Sequence, residues 1–352
     1  MSPTLRLGLA LVALAVSACR GSAPDEFTPL DAGSAWSLAD HATDIAEASC
    51  PNGPESGFEM SFLLDVEPVS LGAPDEVSHW IDGMELLGAW ALEATPGSFG
   101  GLSGLDVLPS GDLLAVSDAG ALIEIGFDQA AMAPTGQADL SFLRGADGEM
   151  LTGKSEADSE GLHLDGDFAL VSFERNHRVL AFARGICGSN ARGVLVSDIG
   201  SSPATLSRSI PNNSGAEGLT ALRGKVIAGL EVVVDQLGPV GVVDSDGAMQ
   251  FAARPWIDGE SLPLVGLDAA GDTLFSLHRT YNPLTGNSIL INQIEADGQR
   301  TVLGRIARPL LVDNFEGIAV HDTADGERRL FIVSDDNFSD SQQTLLYAFR
   351  LN

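Results

Sequence analysis

Lysine is almost absent from this chain. Lys154 and Lys225 are the only lysines, and 19 basic residues stand against 49 acidic ones, which gives a formal net charge of −30. A chain with so little cationic surface cannot neutralise phosphates along a nucleic acid, so we expect no nucleic-acid partner. The same charge opposes adhesion to anionic lipid. An excess of carboxylates is typical of an exported protein that its charge keeps in solution.

Long hydrophobic runs are also lacking. No apolar run reaches the roughly 20 residues that a membrane helix requires. The apolar run over residues 7–16 has the length of a signal-peptide core, and Val16-Ser17-Ala18-Cys19 follows it, which resembles a bacterial lipobox. Residues 1–18 are therefore predicted to be a lipoprotein signal peptide, with the lipid on Cys19. An ordinary signal peptide with a chance cysteine is the alternative.

The segment after Cys19 predicts how the protein is held. Arg20 stands where an aspartate would retain a lipoprotein at the inner membrane, so we expect attachment to the periplasmic face of the outer membrane, by lipid alone. Residues 19–57 are rich in Ala, Ser, Pro, Gly, Asp and Glu and predict a flexible tether with a short helix over residues 38–48. Residues 58–352 remain for a single domain.

Cysteine is scarce as well, with 3 residues in the chain. A lipidated Cys19 leaves Cys50 and Cys187, and export places them in an oxidising compartment. The two are predicted either to form a disulfide that ties the N-terminal segment to the domain or to remain separate thiols.

Glycine is abundant, at 40 residues, and part of it marks an internal repeat. Each of five segments follows one pattern: a polar or acidic residue, a glycine, an aliphatic residue, a short alternating run, a turn and a β-rich run. Units of about four short strands that recur at roughly 40 to 60 residues are typical of a β-propeller. The shared glycines are Gly104, Gly161, Gly218, Gly266 and Gly317.

The repeat predicts an all-β fold, a propeller of five four-stranded blades. The last repeat lacks a fourth strand, and residues 84–94 have the alternation to supply it and close the ring. Residues 58–69 are left over and leave a sixth blade possible. A pair of β-sandwiches is the second interpretation, whereas the 3.6-residue periodicity of a helical bundle is not found.

The repeated segments also carry a resemblance. They are FGGLSGL at 99–105, AVSD at 115–118, DSEGL at 158–162, NSGAEGL at 213–219, NFEGI at 314–318 and VSDDNF at 333–338. With these segments, residues 84–351 resemble the esterase-like phytase family, bacterial exported proteins expected to be β-propellers. The resemblance implies a phosphoesterase-like site made from Glu and Asp. The chain departs from the family at Leu277-His278-Arg279, where a glutamate more often precedes the arginine.

Acidic residues recur at equivalent points of the units. Glu160, Glu217 and Glu316 share one position, and propeller symmetry brings such positions towards one axis. Converging carboxylates need a cation or protons between them, and hard oxygen ligands suit Ca²⁺, with Mg²⁺ as the alternative. Two other interpretations stay open, namely glutamates that pin neighbouring blades through backbone N–H groups and direct acid–base work without metal. A second ring of candidate ligands is Asp118, Glu174, Glu231, Asp335 and Asp336.

Basic residues near these motifs complete the predicted site. Arg175, Arg279 and Lys154 are candidates to bind a substrate phosphate or to form ion pairs with the ring carboxylates. His177 and His278 are candidate acid–base groups or structural histidines. The sequence contains no Gly-x-Ser-x-Gly elbow, phosphate-binding loop or zinc-type Cys/His spacing.

The leading interpretation is a monomeric, metal-dependent phosphoester hydrolase of the cell envelope, which acts on a small phosphorylated or ester substrate. Its predicted catalytic residues are Glu160, Glu217, Glu316, Arg175 and Arg279. The alternatives are a non-catalytic propeller that binds a ligand or partner, and a calcium-dependent lactonase or esterase.

Overall fold

A computed structural model describes residues 35–54, 57–95, 97–206, 208–251 and 256–352. The predicted signal peptide, Cys19 and the tether up to residue 34 lie outside this part. The helices are α1 (Leu38–Ser49), α2 (Pro74–Trp80), α3 (Lys154–Ala157) and α4 (Arg184–Cys187). None of these described helices has the length and apolar character needed to cross a membrane.

Strands make up most of the rest of the described chain, as the short alternating runs predict. In chain order they are β1 (Met60–Pro68), β2 (Met84–Ala94), β3 (Leu102–Val107), β4 (Leu113–Ser117), β5 (Ala121–Asp128), β6 (Ala133–Phe142), β7 (Ser159–Asp165), β8 (Phe168–Phe173), β9 (Arg178–Phe182), β10 (Val194–Asp198), β11 (Ala216–Leu222), β12 (Lys225–Leu230), β13 (Val240–Val243), β14 (Met249–Gln250), β15 (Leu264–Ala270), β16 (Thr273–Asn282), β17 (Gly286–Ile294), β18 (Arg300–Ala307), β19 (Asn314–Asp322), β20 (Arg328–Asp335) and β21 (Thr344–Leu351).

The strands form five antiparallel blades. Three blades are separate sheets, β7 to β10, β11 to β14 and β15 to β18. The other two, β3 to β6 and β19-β20-β21-β2, are joined by β1 into one nine-stranded sheet. The innermost strands β3, β7, β11, β15 and β19 contact one another in a closed ring. The predicted propeller and its five blades are confirmed.

The ring closes where the sequence predicts. β2 pairs with β21, with Met84 opposite Leu351 and Leu92 opposite Thr344, so the fourth strand of the last blade comes from the N-terminal side. The sixth blade left possible for residues 58–69 does not form. β1 instead lies between β2 and β6 and covers the outer edges of both terminal blades, which would otherwise be open sheet edges.

The repeated glycines lie where neighbouring inner strands come closest. A Cβ added at Gly104 would lie 2.5 Å from the carbonyl oxygen of Glu160, and one at Gly266 would lie 2.5 Å from that of Glu316. Any side chain at these positions would push the blades apart. The glycine recurs in each unit because the backbones meet near the axis, where no Cβ fits.

The flexible tether predicted for residues 19–57 is wrong for its described part. The predicted helix forms as α1, and Trp36, Leu38 and Ile45 are buried in the core between the second and third blades. The backbone N–H of Trp36 donates to the carbonyl of Val243 at 3.0 Å. The segment is ordered because α1 has an apolar face that covers these blades.

A disulfide fixes the end of this segment. Cys50 and Cys187 are bonded, with their Cα atoms 6.0 Å apart and a separation of 137 positions in sequence. Cys187 lies in α4, so the bond holds the end of α1 against the second blade.

Replacing Ile45 with alanine tests whether α1 belongs to the core. The side chain is 4% exposed, so Ile45→Ala is expected to lower the free energy of unfolding by about 2 to 4 kcal/mol, measured by chemical denaturation. Glu47→Ala changes an exposed residue of the same helix and is expected to have almost no effect. Equal effects of the two substitutions would show that α1 does not pack on the domain.

Candidate functional site

A pocket of about 220 Å³ opens on the propeller axis, at the end where the inner strands begin. Glu160 and Glu217 are the second residues of β7 and β11, and Glu316 is the third residue of β19. Ser103 and Val265 hold the corresponding positions of the other two blades. The pocket lining is Ser103, Asp118, Lys154, Asp158, Glu160, Glu174, Arg175, Asn213, Glu217, Glu231, Arg279, Glu316, Asp335 and Asn337.

The three glutamates of the repeat meet in this pocket. One carboxylate oxygen from each of Glu160, Glu217 and Glu316 lies within 4.8 Å of the others. In the described part of the chain, no hydrogen bond joins these carboxylates to a backbone N–H. Two further groups share members with this one and are equally tight, namely Asp158, Glu160 and Glu174, and Glu174, Glu217 and Glu231.

The second ring is only partly in the pocket. Glu174 and Glu231 belong to the close groups, whereas Asp118 and Asp335 line the pocket outside them. Asp336 does not line it. Its Oδ1 accepts the backbone N–H groups of Gly101 and Phe338, each at 2.9 Å, so Asp336 builds a turn and is not brought together with the other predicted ligands.

Asp158 is a pocket residue that was not among the predicted ligands. It lies two positions before Glu160 in the DSEGL segment, and its side chain is 2% exposed. Its two oxygens bind the two cations at the pocket mouth, Lys154 Nζ at 2.8 Å and Arg175 Nε at 2.5 Å. The sequence held one signal for Asp158. Only the second repeat has an acidic residue two positions before the first residue of its triplet.

The work of pinning the blades falls to different carboxylates. Asp106 of β3 accepts the backbone N–H of Leu164 in the next blade at 2.7 Å, and Asp268 of β15 accepts that of Val320 at 2.6 Å. Both follow the repeated Gly-Leu pair, on the far side of it from the pocket. The pinning predicted as an alternative role of the glutamates is therefore performed by residues that the sequence did not single out.

Burial makes the pocket carboxylates hard to ionise. It is the largest cause of the raised pKa of Glu160 and Glu217, and the neighbouring carboxylates add to it by repulsion. The same causes raise the pKa of Asp335 to about 8. The pKa of Glu316 rises to about 7 because burial outweighs the attraction of Arg279. Near neutral pH the cluster therefore requires protons or a cation.

Three basic side chains compensate part of this charge. Arg279 lies deep, 3.0 Å from Glu316 and 3.4 Å from Glu231, and its side chain is 16% exposed. Lys154 and Arg175 stand at the mouth, 55% and 41% exposed. Arg279 and Lys154 form the predicted ion pairs with ring carboxylates, whereas Arg175 pairs with Asp158. Lys154 and Arg175 also reach solvent.

Neither candidate histidine belongs to the site. His278 donates a hydrogen bond from Nδ1 to the Leu262 carbonyl at 3.1 Å, and its Nε2 is hydrogen-bonded to Ser276 Oγ at 3.0 Å. Burial lowers the pKa of His278 to about 4. His177 is buried and does not line the pocket. Both side chains are buried away from the pocket, as expected of structural histidines and not of acid–base groups.

The pocket has a floor. Below the glutamates, the glycines and aliphatic residues of the inner strands leave a void of only about 10 Å³. The site is therefore a closed cup, open at one face of the propeller.

The donor set fits a hard divalent cation. The close groups consist of carboxylates alone, which suit Ca²⁺ or Mg²⁺ and not a soft metal. Asp118 Oδ1 is also buried with no hydrogen-bond partner among the described residues. Glu160, Glu174, Glu217, Glu231, Glu316 and Asp158 are the residues placed to hold such an ion.

Comparisons with known proteins show the family of the chain. No curated protein matches it. Similar solved structures are the PQQ-bound aldose sugar dehydrogenase of Streptomyces coelicolor (13% identity, 74% of this chain and 97% of that one, TM-score 0.41) and the glutaminyl cyclase of Myxococcus xanthus (15%, 85% and 100%, 0.41). A gluconolactonase of Xanthomonas campestris is also similar (12%, 83% and 98%, 0.39). The family profile "Phytase-like: Esterase-like activity of phytase" matches residues 97–338, and the chain belongs to this phytase-like family.

Proposed function

We propose that this protein is a metal-dependent phosphoester hydrolase anchored in the cell envelope. The observation that carries the proposal is the composition of the cup. Buried carboxylates with raised pKa values surround its floor, and Lys154 and Arg175 stand at its mouth. A cation between the carboxylates and two solvent-accessible basic groups above them form a place for a phosphate, in a chain with few basic residues elsewhere.

The chain's own residues have separate roles in this proposal. Lys154 and Arg175 bind the phosphate oxygens, and Asp158 fixes both cations by one oxygen each. Arg279 lies deeper and stabilises negative charge that develops on the substrate. When bound, Ca²⁺ or Mg²⁺ supplies Lewis-acid stabilisation of a phosphoryl group.

Asp118 is the proposed proton acceptor. Its Oδ2 binds Lys154, which leaves the unpartnered Oδ1 in the pocket wall. Burial raises the pKa of Asp118 above its ordinary value, which brings a carboxylate closer to the range where a general base works at neutral pH. Asp118 therefore takes the proton from the attacking water.

The test combines metal analysis of the pure protein with assays on p-nitrophenyl phosphate, bis-p-nitrophenyl phosphate, phytate and lactones. We expect bound calcium or magnesium and hydrolysis of a phosphoester that a chelator abolishes. Asp118→Asn is expected to lower kcat by about 100-fold or more, while Glu47→Gln, at an exposed position of α1, leaves it unchanged. Hydrolysis of lactones alone would identify a lactonase, and no hydrolysis at all would identify a binding protein.

The envelope location rests on the lipobox-like segment before Cys19. Cys19→Ala is expected to move the protein from the membrane fraction to the soluble periplasmic fraction, measured by fractionation and immunoblotting. Cys187→Ser serves as the control, because it removes a cysteine but keeps Cys19. A Cys19→Ala protein that stays with the membrane would mean that another part of the chain holds it there.

A further inference from the structure

The turn that follows β20 has an unusual backbone. Asn337 and Phe338 have φ values of +50° and +48°, in the left-handed region that side chains other than glycine rarely adopt. Two such residues in succession cost free energy, and they persist only where the surroundings hold them.

Two carboxylates hold this turn in place. Asp335 Oδ1 accepts the backbone N–H of Asn337 at 2.6 Å, and Asp336 Oδ1 accepts that of Phe338 at 2.9 Å. Asp336 also binds Gly101 N and Thr344 Oγ1, at 2.9 and 3.0 Å. The turn is therefore fixed to the first blade and to the start of β21.

This turn places the aromatic ring of Phe338 beside Asp118, a residue of the cup wall. A Cβ at Gly100 would lie 3.1 Å from Cδ1 of Phe338, and a Cβ at Gly101 would lie 2.6 Å from Cε2 of the same ring. The Gly101 Cβ would also collide with the Asp118 carboxylate, so the ring stands next to that pocket residue. The ring is nonetheless 44% exposed.

A core phenylalanine is buried, whereas this one is held on a strained backbone with much of its surface in water. Asn337, its neighbour in the turn, lines the cup. Lys154 binds the same Asp118 carboxylate that the ring adjoins, so an apolar surface lies beside the proposed phosphate-binding groups.

We propose that Phe338 is a specificity-determining residue that packs against an apolar or aromatic leaving group, so that the substrates are aryl or similarly apolar phosphoesters and not polyol phosphates. This inference rests on the proposed phosphoester hydrolase. Contact between an aromatic group and the ring contributes a preference of roughly five- to tenfold in affinity.

The test measures competitive inhibition by phenylphosphonate and methylphosphonate, with p-nitrophenyl phosphate as substrate and calcium present. The wild-type protein is expected to bind phenylphosphonate five- to tenfold more tightly than methylphosphonate. Phe338→Ala should bring the ratio of the two inhibition constants to about one by weakening phenylphosphonate alone. Phe338→Trp should keep the preference. Phe58→Ala, which removes an exposed phenylalanine (61%) outside the turn, should leave the ratio as it is.

The outcomes separate the two proposals. Phosphoester hydrolysis with a ratio near one in the wild-type protein, or a ratio that Phe338→Ala leaves unchanged, overturns the role of Phe338 but not the hydrolase. If no phosphoester is hydrolysed and neither phosphonate binds, the proposed function fails and this inference fails with it.

Discussion

Chelation at pH 8 is expected to lower the melting temperature of the protein by about 6 °C, and excess calcium is expected to restore it. Removing the ion leaves the carboxylates of Glu160, Glu217 and Glu316 facing one another within 4.8 Å. An ion at about 1,000 times its dissociation constant contributes about 4 kcal/mol to the free energy of unfolding. Calorimetry with and without chelator measures the difference.

The calcium effect should also grow with pH. The folded-state pKa values of Glu316 and Asp335 rise to about 7 and about 8, from ordinary values of 4.5 and 3.8. The chelated folded protein thus holds protons that the unfolded chain releases, so its stability falls as pH rises towards 8. Between pH 7 and 8.5 His278 does not interfere, because its pKa falls to about 4 from an ordinary 6.5. Asp335→Asn is expected to flatten the pH dependence in chelator.

Glu217→Gln separates a metal ligand from a structural carboxylate. If Glu217 binds the ion, calcium should raise the melting temperature of Glu217→Gln less than that of the wild type. In chelator the variant should be more stable than the wild type, because the repulsion between carboxylates is relieved. Glu47→Gln should behave as wild type in both conditions. Melting curves that respond to neither chelator nor calcium at any pH would remove the metal site and the main support for a hydrolase.

Deleting residues 84–94 is expected to abolish cooperative unfolding. These residues form β2, which pairs with β21 on one side and β1 on the other, so its loss exposes two sheet edges and opens the ring. Far-UV circular dichroism during thermal denaturation should show no sharp transition.

A point substitution provides a milder version of this deletion. Ala91→Pro places a proline in the middle of β2, where Ala91 is opposite both Leu345 and Glu67, and should cost about 3 kcal/mol or more. Thr301→Pro in β18, the outermost strand of its blade, is the control and should cost less. A normal melting curve for the deletion variant would contradict the closure.

The sequence predicted those features that repeat. Gly104 and its equivalents recur because every blade meets its neighbours in the same way, and β2 was recognisable because a strand was missing from the last unit. The position of β1 could not be predicted in this way. It depends on β6 and β2, the outer strands of the first and last blades, which come close to each other only in the folded ring. The packing of α1 was missed for a similar reason, because its groove exists only after blades two and three have formed.

The candidate site was predictable to the same extent. The glutamates of the triplets were found because they occupy one repeated position. Asp158 belongs to a single unit and therefore gave no repeated signal. Asp335 and Asp336 are adjacent in sequence, but Asp335 lines the cup and Asp336 binds the turn; only the direction of each side chain separates them.

The pairing of β2 with β21 affects the order in which the chain folds. During synthesis β2 emerges before its partner, residues 344–351, which follow far later in the sequence. Pairing between such distant residues slows folding. β1 can pair with β6 and with β2 as soon as these strands are made, whereas the edge of β2 that faces β21 stays open to other chains until residues 344–351 arrive. This interval is when the protein is most exposed to aggregation and to chaperones.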